Sequence, residues 1–231
     1  MVEIEPKLGD PIPQNWLEKA KVELRANYRS IKLDEFRGEK DVEIYVYRST
    51  LKVDTIASYK YSECYNNLLK KGFPLKEEML NTLKERGLWG DKQEEEFETI
   101  KEDMRQVEIK VALLRSKPNY NKVTFNNSRK DYMKLKDRLS ELITKKTSYL
   151  SNTIESKAEE EQIKVKLSLC VKYPDGRLVW DSLDSLDNEI DNNALMKITN
   201  EFISFSLGLT QEIIDNLPDH IFNMVGEGLG N

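Results

Sequence analysis

The chain is poor in the residues on which most metal centres and covalent catalysts are built. Its 231 residues include one histidine and two cysteines. A single imidazole, His220, cannot supply the ligand set of a zinc or iron centre, and it reads as a surface or helix-end residue. With two cysteines far away in sequence it makes no recognisable nucleophilic arrangement. Cys64 and Cys170 themselves read as two buried thiols, a disulfide or metal site being the weaker alternative. No run approaches the roughly 18 apolar residues of a membrane span, and the opening MVEIEPKLGDP lacks the basic and apolar regions of a signal peptide. Cytoplasmic synthesis in the producing cell is expected, with later incorporation into a particle left open. The net charge of -5, with no basic cluster interleaved with aromatics, disfavours nonspecific nucleic-acid binding. Gly226, Gly228 and Gly230 alternate without the strand-to-helix context or following lysine of a phosphate cradle, and read as a frayed tail.

What remains is unusually polar. Apolar residues make up 39% and charged residues 33%, so the surface is large relative to the core. That suits long helices, a lobed shape, or faces buried only against a partner, in one domain or two small ones. Pro6, Pro11 and Pro13 mark an irregular leader, followed by a short helix opening at Asn15. Residues 22–48 then alternate with period two. Val42, Ile44 and Val46 take one side, Tyr45 and Tyr47 the other, and RGEK supplies the turn of an antiparallel element.

From Thr50 the period becomes helical. A helix over 54–71 is expected to turn Ile56, Tyr59, Cys64 and Leu68 toward an apolar surface and to end at Gly72. A second, from Leu75 to Arg86, carries Leu75, Met79, Leu80 and Leu83 on one face and closes at Gly87. Leu88 and Trp89 follow as an apolar plug, Asp91 is the expected cap of the next helix, and Glu94 fits its capping box. The strongest periodic signal comes next. Phe97, Ile100, Met104, Val107, Val111 and Leu114 form an a/d seam, stopped by Lys117 and Pro118. Tyr132, Leu135, Leu139 and Leu142 repeat the rhythm beyond the connection PNYNKVTFNNSR, so an antiparallel pair or a local docking face is expected. Trp89 and the seam residues are the candidate protein interface. Trp16, Trp89 and Trp180 sit near element boundaries, where the ring locks a junction and its N–H reaches water or a carbonyl.

Residues 152–173 are ambiguous locally. Asn152 or Thr153 can cap a helix, whereas Ile163, Val165, Leu167, Leu169 and Val171 alternate as in a strand leading to the turn YPDGRLVW. A helix from about Ala194 to Phe205 ending at Gly208, and a short one over Thr210–Leu217, complete a mainly α fold with a small N-terminal antiparallel β element and antiparallel helical hairpins. The segments are 1–49, 50–151 and 152–231. Chemistry is sparse. The acids from Asp91 to Asp103 read as a solvated, dipole-favoured helix face before they read as a cation or acid–base site. DSLDSLDNEIDN, Asp181 to Asn192, lacks the central glycine of a calcium loop, and its Leu183, Leu186 and Ile190 suit a helical turn or two. Catalytic, metal and cofactor-binding residues are therefore none.

The stretch VYRSTLKVDTIASYKYSECYNNLLKKGFPLKEEMLNTLKERGLWGDKQEEEFETIKEDMRQVEIKVALL, followed by SNTIESKAEEEQIKVKLSLCVKYPDGRLVWDSL, resembles a family of small tail-assembly and virion-associated proteins of large contractile-tailed bacteriophages. Gly72, Gly87 with Trp89, the heptad from Phe97, Asn152, Thr153, Cys170 and Gly176 carry the likeness over roughly 45–190. The resemblance implies helix over 152–172 and no site residues. It implies a nonenzymatic chaperone or adaptor holding a tail protein (tape measure, tube or baseplate component), without nucleic acid or membrane. The alternatives are a permanent virion subunit in tail, neck or baseplate, a small metal-dependent hydrolase using Asp91–Asp103 or Asp181–Asp187 carboxylates, and a host-directed regulatory binder. Oligomeric state is not legible.

Overall fold

The computed structural model describes residues 26–115 and 121–209. The leader, the helix at Asn15 with Trp16, Lys117, Pro118, the helix over Thr210–Leu217, His220 and the glycine tail lie outside them. The fold is mainly α with a small antiparallel sheet: β1 (Tyr28–Phe36), β2 (Glu39–Tyr47), α1 (Leu51–Lys70), α2 (Lys76–Glu85), α3 (Asp91–Arg115), α4 (Lys122–Leu150), α5 (Ile154–Cys170), β3 (Val171–Lys172), α6 (Leu183–Asp187) and α7 (Asn192–Ser206). These elements form two compact units, one over Pro74–Thr153 and one joining 26–73 with 154–209. Helix α1 thus groups with the sheet and not with α2–α4.

In the sheet unit the strand order is β1-β2-β3, antiparallel throughout. Phe36 pairs with Glu39 across Arg37 and Gly38, whose φ of 52 and 81 are both left-handed, as tight hairpins require to match strand twist. Alternation then decides the faces. Ile31, Leu33, Val42, Ile44 and Val46 are buried with Val171, Trp180, Ile198, Phe202 and Phe205, while on the other side Tyr28 stacks on Tyr45 and meets Tyr47 at a tilt. Helix α7 is fixed to the strands at its carboxyl end, where Arg48 lies over the Phe205 ring at 4.2 Å and donates to the Phe205 carbonyl at 3.2 Å. Arg29 reaches the same ring and donates to Glu201 at 3.2 Å. Cations at this end complement the helix dipole and its unpaired carbonyls.

Helix α1 begins at Thr50, whose hydroxyl accepts from the Val53 N–H, and ends before Gly72 at φ 75. Its buried centre is Ala57, and Cys64 is half-buried. Ile56 and Tyr59 are exposed, 43% and 72%, which corrects their expected burial. The reason is the neighbour. Helix α5 runs antiparallel along α1, with Lys166 on Asp54 at 2.8 Å, and it meets the small Ala57 instead of the bulkier residues beside it.

Residues 154–170 are helix despite the alternation that ends the segment. Strong helix formers and the pairs Lys157–Glu160 and Lys164–Glu160 fill the first turns. The helix is nevertheless apolar on two sides. Leu167 and Cys170 enter the sheet core, while Ile154, Ala158 and Val165 lie on another stripe. A helix buried on two sides mimics a strand in its hydrophobic pattern. The chain becomes extended only at Val171, and Tyr173–Arg177 closes the expected turn with Gly176 at φ 87.

In the other unit, Leu83, Trp89, Ile100, Leu142 and Leu150 form one core, joined by Met79, Leu80, Phe97, Leu135 and Leu139. Val111, Phe125 and Tyr132 form a second core farther along α3 and α4. Both read out the expected antiparallel seam. Much of the Asn-rich stretch is helical, since Asn121 caps α4 through the Val123 and Thr124 N–H groups. At the corner, the Leu88 and Trp89 N–H groups both donate to the Leu83 carbonyl, after Gly87 at φ 65. Gly90, not Asp91, is the cap of α3. Its carbonyl accepts from Gln93 and Glu94, and Gln93 reaches back to the Gly90 N–H at 2.9 Å, leaving Glu94 free for another task. Trp89→Ala is expected to cost about 3–5 kcal/mol, the usual range for truncating a buried aromatic, read as a lower denaturant midpoint of the full chain.

Candidate functional site

The seven residues expected at a protein interface are instead largely internal. Trp89, Ile100 and Val111 are buried, Phe97, Met104 and Val107 pack into the two cores, and Leu114 is half-buried. The seam has found its partner within the chain, in α4. Trp89 is the hub of this arrangement. Its Nε1–H donates to Glu94 at 2.6 Å, Lys146 donates to the same carboxylate at 2.7 Å, and the Lys146 ammonium sits 5.5 Å from the indole centroid. The Lys146 bond, helped by the Trp89 N–H, holds the Glu94 carboxyl below the usual carboxylate range.

The other described tryptophan has a parallel setting. Trp180 is fully buried, and its Nε1–H donates to Glu189 at 3.0 Å. Arg37, from the β1–β2 turn, grips the same oxygen through Nε and Nη2. The second Glu189 oxygen accepts from the Ile190 and Asp191 N–H groups. Burial pushes this carboxyl up, but Arg37, Trp180 and the backbone N–H outweigh it, and the group titrates below the ordinary range. The sequence suggested water or a carbonyl as acceptor for the Trp180 N–H and missed Glu189 and Arg37, which no local spacing connects. An open cleft of about 950 Å³ lies here, lined by Asp34, Arg37, Glu189 and Lys197 among others. Several of its polar groups are engaged in the fold: Asp191 caps α7 at Ala194, and Lys197 donates to the Lys32 carbonyl.

The carboxylates considered for catalysis do not converge. Asp91 pairs with Lys84, Glu96 with Arg138, Glu98 with Lys101 and Glu102 with Arg105, spread along α3. In the Asp181–Asn192 segment, Ser182 caps α6 and Asp187 pairs with Lys164, while Leu186 is buried and Ile190 is 91% exposed. Among the described residues no group of histidine, cysteine and acid side chains is arranged to hold a metal ion. No described helix is long and apolar enough to cross a membrane.

What stands open is the outer face of α7. Ala194, Ile198, Phe202 and Phe205 enter the core, and on the opposite stripe Met196, Ile203 and Leu207 are 59%, 41% and 71% exposed. With Asn200 they recur at i, i+4, i+7 and i+11, the spacing of a continuous helical stripe. No family model, curated protein or solved structure matches this chain. Function is therefore read from its surfaces.

The Glu189 carboxylate yields a pH prediction. A depressed folded-state value contributes stability above the ordinary carboxylate range, and that contribution is lost as pH falls through the folded value. Glu189→Gln keeps the volume and removes the charge, so its stability is expected to fall less than that of the wild type between neutral and acidic pH. Denaturant unfolding at both pH values measures this; equal losses would remove Glu189 from the titration.

Proposed function

We propose that the chain is a nonenzymatic assembly protein of a contractile-tailed bacteriophage, a chaperone or adaptor that covers an apolar surface of a tape-measure, tube or baseplate protein. The observation that carries this reading is the exposed apolar stripe of α7. A helix whose inner face is locked into the core while Met196, Ile203 and Leu207 face outward offers a rigid docking surface for another amphipathic segment. The carboxylates that a metal-dependent hydrolase would use are dispersed into ion pairs along helix surfaces, which favours binding over hydrolysis. The resemblance over roughly 45–190 supplies the biological setting.

The test is affinity purification of the tagged chain from infected cells, with a blot of purified particles. One tail protein is expected to co-purify and to be lost with Met196→Glu combined with Ile203→Glu, surface changes that leave the buried face of α7 intact. Absence of the chain from particles identifies a transient chaperone, and presence at fixed stoichiometry a virion subunit. Recovery of host proteins alone would overturn the reading.

A further inference from the structure

Charge is missing where α7 faces outward. A surface helix ordinarily keeps charged and polar side chains on that side. In a chain with 33% charged residues, α7 carries only Lys197 and Glu201, and both are turned to β1. Lys197 donates to the Lys32 carbonyl at 2.8 Å, and Glu201 accepts from Arg29 at 3.2 Å. The outward positions Asn192, Asn193, Met196, Asn200, Ile203 and Leu207 are exposed and uncharged. Asn200 stands inside the apolar stripe, about one turn from Met196 and one from Ile203. Its carboxamide bonds to no other described residue.

We infer that the occupant of this face is an α-helix with an uncharged apolar stripe interrupted by one carboxamide, and that Asn200 sets its register by pairing with that group. The inference rests on the docking reading of α7 and names the chemistry of the partner. Absence of charge selects the class: an acidic or basic ligand would give up hydration here and meet no opposite charge. Asn200 selects the register. Under a purely apolar helix its carboxamide would lose water and gain no partner, whereas opposite Asn or Gln it exchanges hydrogen bonds, as a single Asn does in a coiled-coil seam. The same residue argues against a second copy of this chain. Two α7 stripes packed antiparallel, Met196 against the partner's Leu207, set Asn200 against the partner's Ile203 and leave both carboxamides unpaired. From Met196 to Leu207 the stripe spans about 16 Å, so about three turns of the occupant are covered.

The test titrates the purified full-length chain against three fluorescein-labelled, alanine-based peptides, each of about 18 residues so that it is helical on its own. One carries a Leu stripe with a central Asn, one has Leu in place of that Asn, and one has Glu in place of two stripe Leu residues. Anisotropy is expected to rank the Asn peptide about tenfold tighter than the Leu peptide, the usual weight of a buried polar group left unpaired. The Glu peptide should not bind. Asn200→Leu, an exposed substitution that spares the buried face, should reverse the order of the first two, which a folding defect cannot do. Met196→Glu with Ile203→Glu should remove all binding. A wild type that binds none of the peptides would overturn the proposal. So would an order that Asn200→Leu leaves unchanged, or a Glu peptide bound as tightly as the Asn peptide. A wild-type dimer in sedimentation that Met196→Glu with Ile203→Glu dissolves would overturn it in favour of a second copy. The pull-down from infected cells reads a different claim. A tail protein recovered by a chain without the peptide preference would sink this inference and keep the docking reading, whereas the preference with host proteins alone recovered would keep the docking chemistry and lose the tail setting.

Discussion

The antiparallel pairing of α1 with α5 is the constraint on which the chain's organisation depends. Asp54 near the start of α1 meets Lys166 near the finish of α5, so the two helices run in opposite senses. The carboxyl end of α1 and the amino end of α5 therefore lie at the same end of the pair. Between those two points the chain makes Pro74–Thr153, the described part of its other unit. An excursion that leaves and returns at neighbouring points costs the host little, as with other insertions at surface sites. Small Ala57 allows the helices to approach, and the charged pair marks their opposite directions.

Each unit then solves the same problem with the same device. A tryptophan is buried at a junction, its ring in the core, and its N–H is given to a carboxylate that a cation also holds: Glu94 with Lys146 in one case, Glu189 with Arg37 in the other. The indole N–H would be costly to bury without an acceptor, and the carboxylate would be costly to bury without a cation. Together the three groups tie elements distant in sequence. Lys146 lies on α4 and Trp89 before α3; Arg37 lies in the β1–β2 turn and Trp180 after β3.

Much of the fold was legible because it depends on short-range pattern. The hairpin turn at Arg37–Gly38, the seam from Phe97, the glycine stops at 72, 87 and 208 and the helix over 192–206 all follow from residues within a few positions of one another. The sequence misled where a neighbour from far away decided the outcome. Ile56 and Tyr59 carry the right spacing for burial but lie beside the stripe that α5 covers. Of the two outcomes the seam allowed, an antiparallel pair or a docking face, the pairing with α4 prevailed, so Trp89, Ile100 and Val111 became core. Alternation over 163–171 suggested a strand because a helix apolar on two sides leaves the same trace. The open stripe of α7 was invisible for the complementary reason: exposure, unlike periodicity, is set by what fails to arrive.

The inserted arrangement also has a consequence in time. The sheet core needs Val171, Trp180 and Phe205, all synthesised after the α2–α4 segment. At roughly 5–20 residues per second, the β1–β2 hairpin waits several seconds with Ile31, Ile44 and Val46 uncovered. The later-made segment Pro74–Thr153, the described part of its unit, is continuous in the chain and can close first. Closure of the helical segment can thus precede that of the sheet begun before it, and the nascent sheet face is open to a holdase chaperone during that interval.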